Sequence, residues 1–237
     1  MMGTGLYTEC DDRMRIVMTE RVIQADGICK HYGRGETRVQ VLRDLSFELA
    51  AGESVAIMGP SGCGKSTLLN LLNGLMHPDQ GSLEVFGLPY QRLGDNGWAR
   101  WRRHRIATLF QDGNLIPTLS VSRNLVFRAG LAGLKVEPLE LLQALGISDV
   151  AQRYPDQLSG GQRQRAALAC AFAMQPELIL ADEPTGSLDE ASAQLVMPLF
   201  FKTMHERGLT ALIVTHNPVL AQGCDRVLHL SNGALSP

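Results

Sequence analysis

The chain has 237 residues, of which 45% are hydrophobic and 19% are charged, and its formal net charge is −2. This composition is typical of one globular domain, or of one domain with a subdomain, built around a hydrophobic core. A net charge so close to zero provides no basic field that would attract nucleic acid or an acidic membrane surface to the chain as a whole. We therefore expect no nucleic-acid partner.

The cysteine pattern and the lengths of the apolar runs indicate in which cellular compartment the chain is located. The five cysteines are odd in number and form no C-x-x-C pair, a pattern typical of reduced thiols in a cytosolic protein. No apolar run approaches the roughly 18–20 residues of a membrane-spanning helix, and the N-terminus lacks the apolar core of a signal peptide. We expect a soluble, cytosolic chain in which residues 1–20 are disordered and residues 21–235 form a single domain.

The first part of that domain is predicted to contain three strands followed by a helix. The strands are predicted at residues 21–32, 39–49 and 53–59. The helix follows Gly64 and is rich in leucine, and Gly74 is a stop signal at its end. The third strand is short and apolar throughout, which indicates burial.

The remainder alternates between buried strands and a helical region. Continuous apolar runs are typical of strands covered on both faces, and they occur at residues 105–110, 177–182 and 210–216. Residues 112–157 are poor in β-branched runs and predict short helices, with Pro138 near a helix start. The pattern indicates an α/β core with a helical insertion.

The segment GPSGCGKST matches G-x-x-x-x-G-K-[ST] and lies between a predicted strand and a predicted helix, as this phosphate-binding motif requires. Its glycines allow the backbone to curl so that N–H groups surround phosphate oxygens. Lys65 can reach the β- and γ-phosphates, and the Ser66 hydroxyl can bind Mg²⁺. A plain glycine-rich turn is the alternative, but the full match in this context argues against it. The predicted nucleotide-binding residues of the loop are Gly59, Pro60, Ser61, Gly62, Cys63, Gly64, Lys65, Ser66 and Thr67.

Two acids end the apolar run in LILADEP, residues 178–184. Asp182, at the carboxyl end of the predicted strand, can hold a metal ion through water, and Glu183 can orient and polarise an attacking water molecule. An isolated pair of acids at a strand end is usually only a solvated terminus, but the phosphate loop argues against that alternative here.

Three further side chains are candidates for the same site. His216 follows the apolar run ALIVT and can donate a hydrogen bond to a γ-phosphate, although a lone histidine there is usually structural. Gln111, directly after IATLF, can reach Mg²⁺ through its amide oxygen, although alone it would be an ordinary loop glutamine. Tyr32 could stack on an adenine ring, with ordinary packing as the alternative.

The segment LSGGQRQR, residues 158–165, contains a second candidate phosphate cradle. Ser159 precedes Gly160 and Gly161 at the start of a predicted helix, where free backbone N–H groups and the helix dipole favour an anion. Because the phosphate loop already supplies one cradle, the presence of a second one requires an explanation.

Together these motifs resemble the nucleotide-binding subunit of an ATP-binding-cassette (ABC) transporter over roughly residues 20–235. The segments GPSGCGKST, FQDGNLIPTLSV, LSGGQRQR, LILADEPTGSLD and VTH occur in the family's order, and LSGGQ belongs to this family alone among phosphate-loop proteins. The resemblance implies a RecA-like phosphate-loop NTPase core with a mixed sheet, a small antiparallel N-terminal β subdomain, and a helical signature-motif subdomain at roughly residues 112–175.

The resemblance also implies cofactors and residue roles. ATP and Mg²⁺ are the implied cofactors, and the metal would be held by Ser66, Gln111 and Asp182. The implied catalytic residues are Glu183, His216 and Lys65. The activity implied is ATP hydrolysis coupled to transport.

The family's dimer explains the second cradle. In such ATPases two chains pack head to tail, and each ATP lies between the phosphate loop of one chain and the signature helix of the other. The resemblance therefore implies a homodimer with composite sites, and Asp189 would lie at the dimer seam. The residues that would contact the partner's nucleotide are Ser159, Gly160, Gly161 and Gln162.

The branch of the family is indicated by LADEPTGSLD, which resembles the branch that drives lipoprotein release, macrolide or peptide export and related envelope work. The implied partner is an integral-membrane permease, which would place the chain on the cytoplasmic face of the cell membrane. An importer ATPase, for example for polar amino acids, is the first alternative. A soluble ABC protein acting on DNA or ribosomes would need a long coiled-coil insertion or two cassettes, and a kinase or GTPase leaves LSGGQ unexplained.

Three features depart from the family pattern, and they bear on the permease contact rather than on hydrolysis. Arg123 stands where the family usually has a glutamate, near the surface expected to meet the permease. Pro198 lies inside a predicted helix and should kink or break it, because it removes a backbone donor and its ring crowds the Gln194 carbonyl. The helical insertion is also shorter than expected.

Overall fold

The computed structural model of the chain describes residues 21–110, 114–186, 188 and 190–236. The strands in this part of the chain are β1 (Arg21–Tyr32), β2 (Val39–Ala50), β3 (Ser54–Met58), β4 (Gln80–Val85), β5 (Leu88–Pro89), β6 (Ile106–Leu109), β7 (Leu178–Asp182), β8 (Thr210–Thr215), β9 (Arg226–Ser231) and β10 (Ala234–Ser236). The helices are α1 (Lys65–Leu72), α2 (Gly94–His104), α3 (Val121–Leu131), α4 (Pro138–Ala144), α5 (Gly160–Ala173), α6 (Glu190–Arg207) and α7 (Pro218–Gln222). The disorder predicted for residues 1–20 lies outside the described residues.

Four strands form an antiparallel sheet in the order β2-β1-β4-β5. The central strand β1 places Ile23 opposite Leu49 of β2 on one side and Val85 of β4 on the other, and all three side chains are fully buried. Residues at one register position share a face of the sheet, so these side chains belong to one apolar face. The antiparallel N-terminal sheet predicted from the family resemblance is confirmed.

The second sheet has six strands in the order β10-β9-β3-β8-β7-β6, and β10 is antiparallel to β9 while the other pairs are parallel. Every residue of β8 is buried, as are the first four residues of β3 and of β7. Such strands are covered on both faces. In open α/β sheets, ligands bind outside the carboxyl ends of the strands. The α/β fold with a mixed sheet is confirmed, and the loops after β3, β8 and β7 meet at one edge.

The helices α3, α4 and α5 pack against one another, and α5 also packs against β6. The buried face of α3 lies in the same hydrophobic cluster as Leu168 and Phe172 of α5. The region predicted to form short helices therefore contains α3 and α4, and α4 begins at Pro138 as predicted. Within the described ranges, no helix combines the length and the apolar character that crossing a membrane requires.

Of the kink or break predicted at Pro198, the break is absent, because helix α6 continues through the proline from Glu190 to Arg207. The proline cannot donate a backbone hydrogen bond, so the carbonyl of Gln194 loses its helical partner. Packing on the buried side keeps the helix together: Val196, Phe200 and Met204 are buried at intervals of four residues, and the Phe200 ring stacks on an aromatic ring of α5 at 6.2 Å. Tertiary contacts have overridden the local cost of the proline.

Candidate active site

Three adjacent strands of the second sheet, β3, β8 and β7, end beside one another and bring the predicted motifs together. The phosphate loop follows β3, Asp182 ends β7 and His216 follows β8. A cavity of about 430 Å³ lies at this edge. Its lining residues are Val41, Ser61, Gly62, Gly64, Lys65, Ser66, Thr67, Asp182 and Glu183. The cavity is therefore lined by the loop and by both predicted acids.

The phosphate loop requires glycine at two positions for different reasons. At Gly59 a Cβ atom would collide with the carbonyl oxygen of Leu230 in the neighbouring strand β9, so a side chain there would push the loop off the sheet. Gly64 has a φ of +111°, in the left-handed region that L side chains rarely adopt, and it directly precedes α1. The N–H groups of the first turn of α1 are therefore available for an anion.

The ammonium group of Lys65 is held over its own loop. Its Nζ donates to the carbonyl oxygens of Gly59 at 2.7 Å and of Pro60 at 3.0 Å, and the residue is only 9% exposed. A buried ammonium group requires oxygen partners, and phosphate oxygens can take the place of these carbonyls. Lys65 thus supplies a fixed positive charge at the cavity.

The hydroxyl of Ser66 and the carboxylate of Asp182 are bound to each other in the cavity and are the candidate metal ligands there. Ser66 Oγ donates to Asp182 Oδ2 at 2.9 Å, which joins the start of α1 to the end of β7. Mg²⁺ is usually held by one or two carboxylates together with substrate phosphates rather than by a protein cage. The described residues contain no group of three or more His, Cys, Asp or Glu side chains able to hold a metal ion. The oxygen donors of this pair suit Mg²⁺.

Glu183 has a constrained backbone and a fixed side chain. Its φ is +47°, a conformation that costs a non-glycine residue on the order of 1 kcal/mol and that clusters at functional sites. Oε2 accepts hydrogen bonds from Thr215 Oγ1 at 3.0 Å and from the His216 backbone N–H at 3.2 Å, and Oε1 lies 2.8 Å from His216 Nδ1. The side chain is 14% exposed. Both carboxylate oxygens are therefore fixed in direction.

His216 combines a fixed ring with an open edge. Its Nδ1 is bound to Glu183, yet the side chain is 72% exposed. The second ring nitrogen, Nε2, is consequently available to a ligand at the end of the sheet.

Tyr32 lies at the end of β1, beside the last residue of the phosphate loop. Its hydroxyl is 3.3 Å from Thr67 Oγ1 and 3.2 Å from the sulfur of Met76, and the residue is 41% exposed. The ring is thus held at one end and open to solvent elsewhere, which is compatible with stacking on a base.

The signature segment does not belong to this cavity, because none of residues 158–165, all of which are described, lines it. Ser159 Oγ accepts from the Gln162 N–H at 3.2 Å and Gln162 Oε1 accepts from the Ser159 N–H at 3.1 Å, so the two residues cap the start of α5 reciprocally. Gly160 and Gly161 are the first two residues of α5, whose N–H groups have no acceptor within the helix. Ser159 and Gly160 are exposed. This helix start therefore has free N–H groups that could contact an anion, and it lies outside the first cavity.

The structure adds Thr215 to the residues predicted from the sequence. It is fully buried and donates to Glu183 from the strand before His216. The sequence feature that could have predicted this role is a hydroxyl residue at the end of an apolar run, directly before the histidine. Gln111 and Asp189, both predicted site residues, lie outside the described residues.

The phosphate loop, the paired acids and the histidine at the ends of parallel strands define a phosphate-loop nucleotide hydrolase. Comparison with known proteins then gives the family. Residues 42–186 match the family model described as ABC transporter. The chain is 39% identical over 224 residues to the lipoprotein-releasing system ATP-binding protein LolD of Bordetella pertussis, with 92% of this chain and 97% of that protein covered.

Two further proteins extend the comparison. The macrolide export ATP-binding/permease protein MacB 1 of Aeromonas hydrophila is 41% identical over 223 residues, which cover 92% of this chain and 34% of that protein. The dimeric post-hydrolysis structure of the ATP-binding cassette MJ0796 bound to ADP and Pi matches with a TM-score of 0.82 at 33% identity, and covers 91% of this chain and 97% of its own. The chain belongs to the ABC transporter family and is an ATP-hydrolysing subunit of a transporter. The family predicted from the motifs is confirmed.

Proposed function

We propose that this chain binds Mg·ATP in the cavity beside the phosphate loop and hydrolyses it by in-line attack of water on the γ-phosphate. The observation that carries the proposal is the geometry of Glu183, whose carboxylate is fixed by Thr215 and His216 beside the Asp182–Ser66 pair. A carboxylate held in this way can orient the attacking water and accept its proton. The rest of the catalysis is positioning and neutralisation of phosphate charge.

The other residues of the cavity bind the nucleotide. Lys65 would exchange its two carbonyl partners for β- and γ-phosphate oxygens. Ser66 and Asp182, together with Gln111, would hold Mg²⁺ directly or through water, and the ion supplies positive charge to the phosphates when it is bound. Tyr32, open to solvent beside the loop, would stack on the adenine.

His216 can serve Glu183 and a γ-phosphate together only in its protonated form. A neutral imidazole has one N–H, so a ring that donates from Nδ1 to Glu183 has a lone pair at Nε2 and cannot donate to phosphate from there. The imidazolium donates from both nitrogens. Nε2 is the ring nitrogen that would face the γ-phosphate, because Nδ1 is held by Glu183.

We propose that two chains form composite sites, with the signature helix of each chain against the nucleotide of the other. Support comes from the start of α5, where Ser159 and Gly160 are exposed at a helix end that the chain's own cavity does not include. The solved MJ0796 cassette is itself a dimer bound to ADP and Pi. ATP binding would close the dimer and hydrolysis would open it.

We further propose that the transporter is of the export or envelope type, with a separate permease that holds this chain on the inner face of the cell membrane. The named relatives carry these activities in their names: lipoprotein release for LolD and macrolide export for MacB 1. LolD is matched over 97% of its length, whereas MacB 1 is described as an ATP-binding and permease protein and is matched over 34%.

Affinity purification of the tagged chain from detergent-solubilised membranes tests this proposal. We expect one integral-membrane protein to copurify, with four membrane-spanning helices and a large extracytoplasmic domain, and the complex to hydrolyse ATP. Recovery of a permease of the importer type would overturn the export assignment. Recovery of the chain with no membrane protein would overturn the permease assignment, whatever its ATPase activity.

A further inference from the structure

A groove of about 600 Å³ lies between α6 and α7, and its lining is mainly apolar. A Cβ atom at Gly223, directly after α7, would collide with the ring of Phe201, so the two helices approach closely there. Exposed apolar surface of this kind usually marks a binding site, and the volume is that of a ligand pocket. We call it the α6–α7 groove. Its apolar lining includes Leu188, Met197, Pro198, Phe201, Val219 and Leu220.

The groove also contains a residue with an unused backbone acceptor. Pro198 has no N–H, so the carbonyl of Gln194 lacks the donor that every other residue at that position would supply. Both residues line the groove and both are exposed. A peptide segment in extended conformation has backbone N–H groups that can donate to such a carbonyl, whereas a purely apolar ligand cannot.

One wall of the groove belongs to the catalytic edge of the sheet. Asn217 lines the groove, and its backbone N–H donates to Thr215 Oγ1 at 3.0 Å. The same hydroxyl donates to Glu183 Oε2 at 3.0 Å. An occupant of the groove would therefore contact the loop that holds the catalytic carboxylate in place.

The first described strand begins near the groove. Arg21 Nε forms an ion pair with Glu48 Oε2 at 3.0 Å, and Arg226 donates to the carbonyl oxygen of the same glutamate. Arg226 follows Gly223, which lines the groove, by three residues, a chain length of no more than about 11 Å. Residues 14–18 precede Arg21 by three to seven positions and can extend about 10–25 Å from it. They are therefore long enough to reach the groove.

The sequence of residues 14–18, MRIVM, suits the groove in polarity and in length. Four of its five residues are apolar, and Met14, Ile16 and Met18 occupy alternate positions, which share one side of an extended segment. The first and the last of these three are about 13 Å apart in such a segment. Helix α6 rises about 10 Å from Gln194 to Phe201, which both line the groove. Methionine is flexible and fills irregular apolar gaps.

We propose that residues 14–18 lie in the α6–α7 groove of their own chain as an extended segment, with the apolar side chains of Met14, Ile16 and Met18 turned into it. A segment tethered this closely has an effective concentration on the order of millimolar, so weak contacts suffice. A second copy of the chain has no such advantage. The disorder predicted for residues 1–20 would then be limited to the residues before Met14. The inference goes beyond the proposed function and requires neither ATP nor a permease.

Cross-linking tests the position of the segment. A chain with its five cysteines replaced by serine carries Ile16→Cys together with Val219→Cys, at a groove residue that is 70% exposed. A short bis-thiol reagent should link the two positions within one chain, and mass spectrometry identifies the joined peptides. The matched control pairs Ile16→Cys with Glu206→Cys, at an exposed residue of α6 outside the groove. The groove pair should react severalfold faster.

Oxidation of Met197 gives a second measurement in the full chain. Met197 is half-buried in the groove, and dilute hydrogen peroxide converts an accessible methionine to its sulfoxide. Ile16→Asp should raise the oxidation rate of Met197 severalfold, because a carboxylate is costly to bury in an apolar groove and the segment would leave. Thr4→Asp is the control of equal charge, and oxidation of Met76, half-buried beside Tyr32, should be the same in all three chains.

The outcomes distinguish the segment from other occupants. Equal rates for the two cysteine pairs, or no link to position 219, would show that the segment is only tethered, and would overturn the inference. A link found only in a band at twice the chain mass would assign the groove to a second copy. A Met197 oxidation rate that Ile16→Asp leaves unchanged would also overturn it. In each case the proposed function stands, because ATP hydrolysis and copurification of the permease are measured separately.

Discussion

The phosphate-loop edge of the sheet and the start of the signature helix both contain a helix N-terminus, but the residues that surround it differ. At the sheet edge, residues of α1 and of the carboxyl ends of β7 and β8 bind one another: Ser66 with Asp182, and Glu183 with Thr215 and His216. At the start of α5, the hydrogen bonds of the two capping side chains are to each other. The first region has charged groups that can hold and activate reactants, and the second can only contact an anion.

The difference indicates which of the two regions can catalyse hydrolysis and which can only bind the nucleotide. Backbone N–H groups at a helix start suffice to bind an oxyanion, whereas hydrolysis also requires a fixed carboxylate and a positive charge. The signature helix α5 contains no carboxylate, so its contribution to hydrolysis depends on a nucleotide and a carboxylate held elsewhere. The following predictions test this contrast.

The largest effect is expected at the sheet edge. Glu183→Gln keeps the shape of the side chain but removes its charge, so ATP should still bind while turnover falls by about 100-fold or more. ATP-dependent dimers should accumulate and be visible by size-exclusion chromatography. Glu84→Gln, in strand β4 of the antiparallel sheet, is the control. Normal turnover by Glu183→Gln would remove this residue from the water-activating role.

Lys65→Ala, at the same edge of the sheet, should weaken nucleotide binding. The loss of a charge-assisted contact of about 1.5–3 kcal/mol should weaken nucleotide binding by about 10- to 100-fold. Titration of a fluorescent ATP analogue measures the affinity directly. Unchanged affinity would mean that the phosphates do not reach the Lys65 ammonium group.

The relation between the two regions can be tested by cross-linking. In a chain with cysteines 10, 29, 170 and 224 replaced by serine and with Ser159→Cys, Cys63 of one chain should link to position 159 of the other. A disulfide needs Cα atoms within about 7 Å, so a short bis-thiol reagent is used beside a mild oxidant. We expect a band at twice the chain mass that depends on ATP.

Two controls decide the interpretation of that band. Chains with a cysteine at only one of the two positions should not give it. A link between positions 63 and 159 within one chain, seen as a monomer band with an internal cross-link, would mean that both cradles act on one nucleotide. The head-to-tail dimer would then have to be abandoned.

Alkylation should distinguish the phosphate loop from the rest of the chain. Cys63 is half-buried in the loop, whereas burial raises the pKa of the Cys170 thiol to about 12 and that of Cys224 to about 12, so these two are protonated near pH 7. Alkylation of Cys63 should inactivate the ATPase, and Mg·ATP should slow it. Mass spectrometry of the labelled peptide measures the rate. An equal rate at saturating ATP would show that the nucleotide lies elsewhere.

In helix α3, which packs on the signature helix α5, the expected effect is on the stability of the fold. Asn124 is 1% exposed; its Oδ1 accepts from Ile116 N–H at 2.7 Å, and its Nδ2 donates to the carbonyls of Ile116, Leu119 and Ser120. Asn124→Ala leaves these buried groups unpaired and should lower the free energy of unfolding by about 2–3 kcal/mol. Urea denaturation measures it, with the exposed Asn96→Ala as control. A loss equal to the control's would show that the network contributes nothing.

The smallest effect is a pH dependence near the start of β3. Asp225 accepts hydrogen bonds from the Ser54 N–H at 2.8 Å and from its hydroxyl at 2.6 Å, and these bonds lower the pKa of the carboxyl group. Because the pKa of this carboxyl group is lower in the folded state than in the unfolded state, its ionised form stabilises the fold at pH values above the unfolded pKa of about 3.9. This stabilisation is lost as the pH falls through the folded-state pKa. The stability difference between the unmodified chain and Asp225→Asn should therefore shrink below about pH 4. A constant difference from pH 7 to pH 3 would contradict the assignment.

Local pattern was sufficient to predict the strands and helices that carry the motifs, but other elements were missed. Helix α2 was not predicted because its buried side consists of two tryptophans, Trp98 and Trp101, in a segment of glycines and arginines. These rings are buried by contacts with distant residues, such as the edge-on contact of Trp101 with Phe86 at 5.2 Å. Periodicity over a few residues cannot reveal such partners.

The sequence by itself determined the residue chemistry of this protein, because a phosphate loop is a local backbone structure whose glycines, lysine and hydroxyl are adjacent in the chain. The order of the strands was decided only by the tertiary structure, and it places Thr215 and His216 against Glu183. It also decided that α6 continues through Pro198 and that Val126 and Phe127 of α3 are exposed. The physical reason is that burial and hydrogen bonding between residues far apart in sequence depend on how whole elements pack, and no local pattern contains that information.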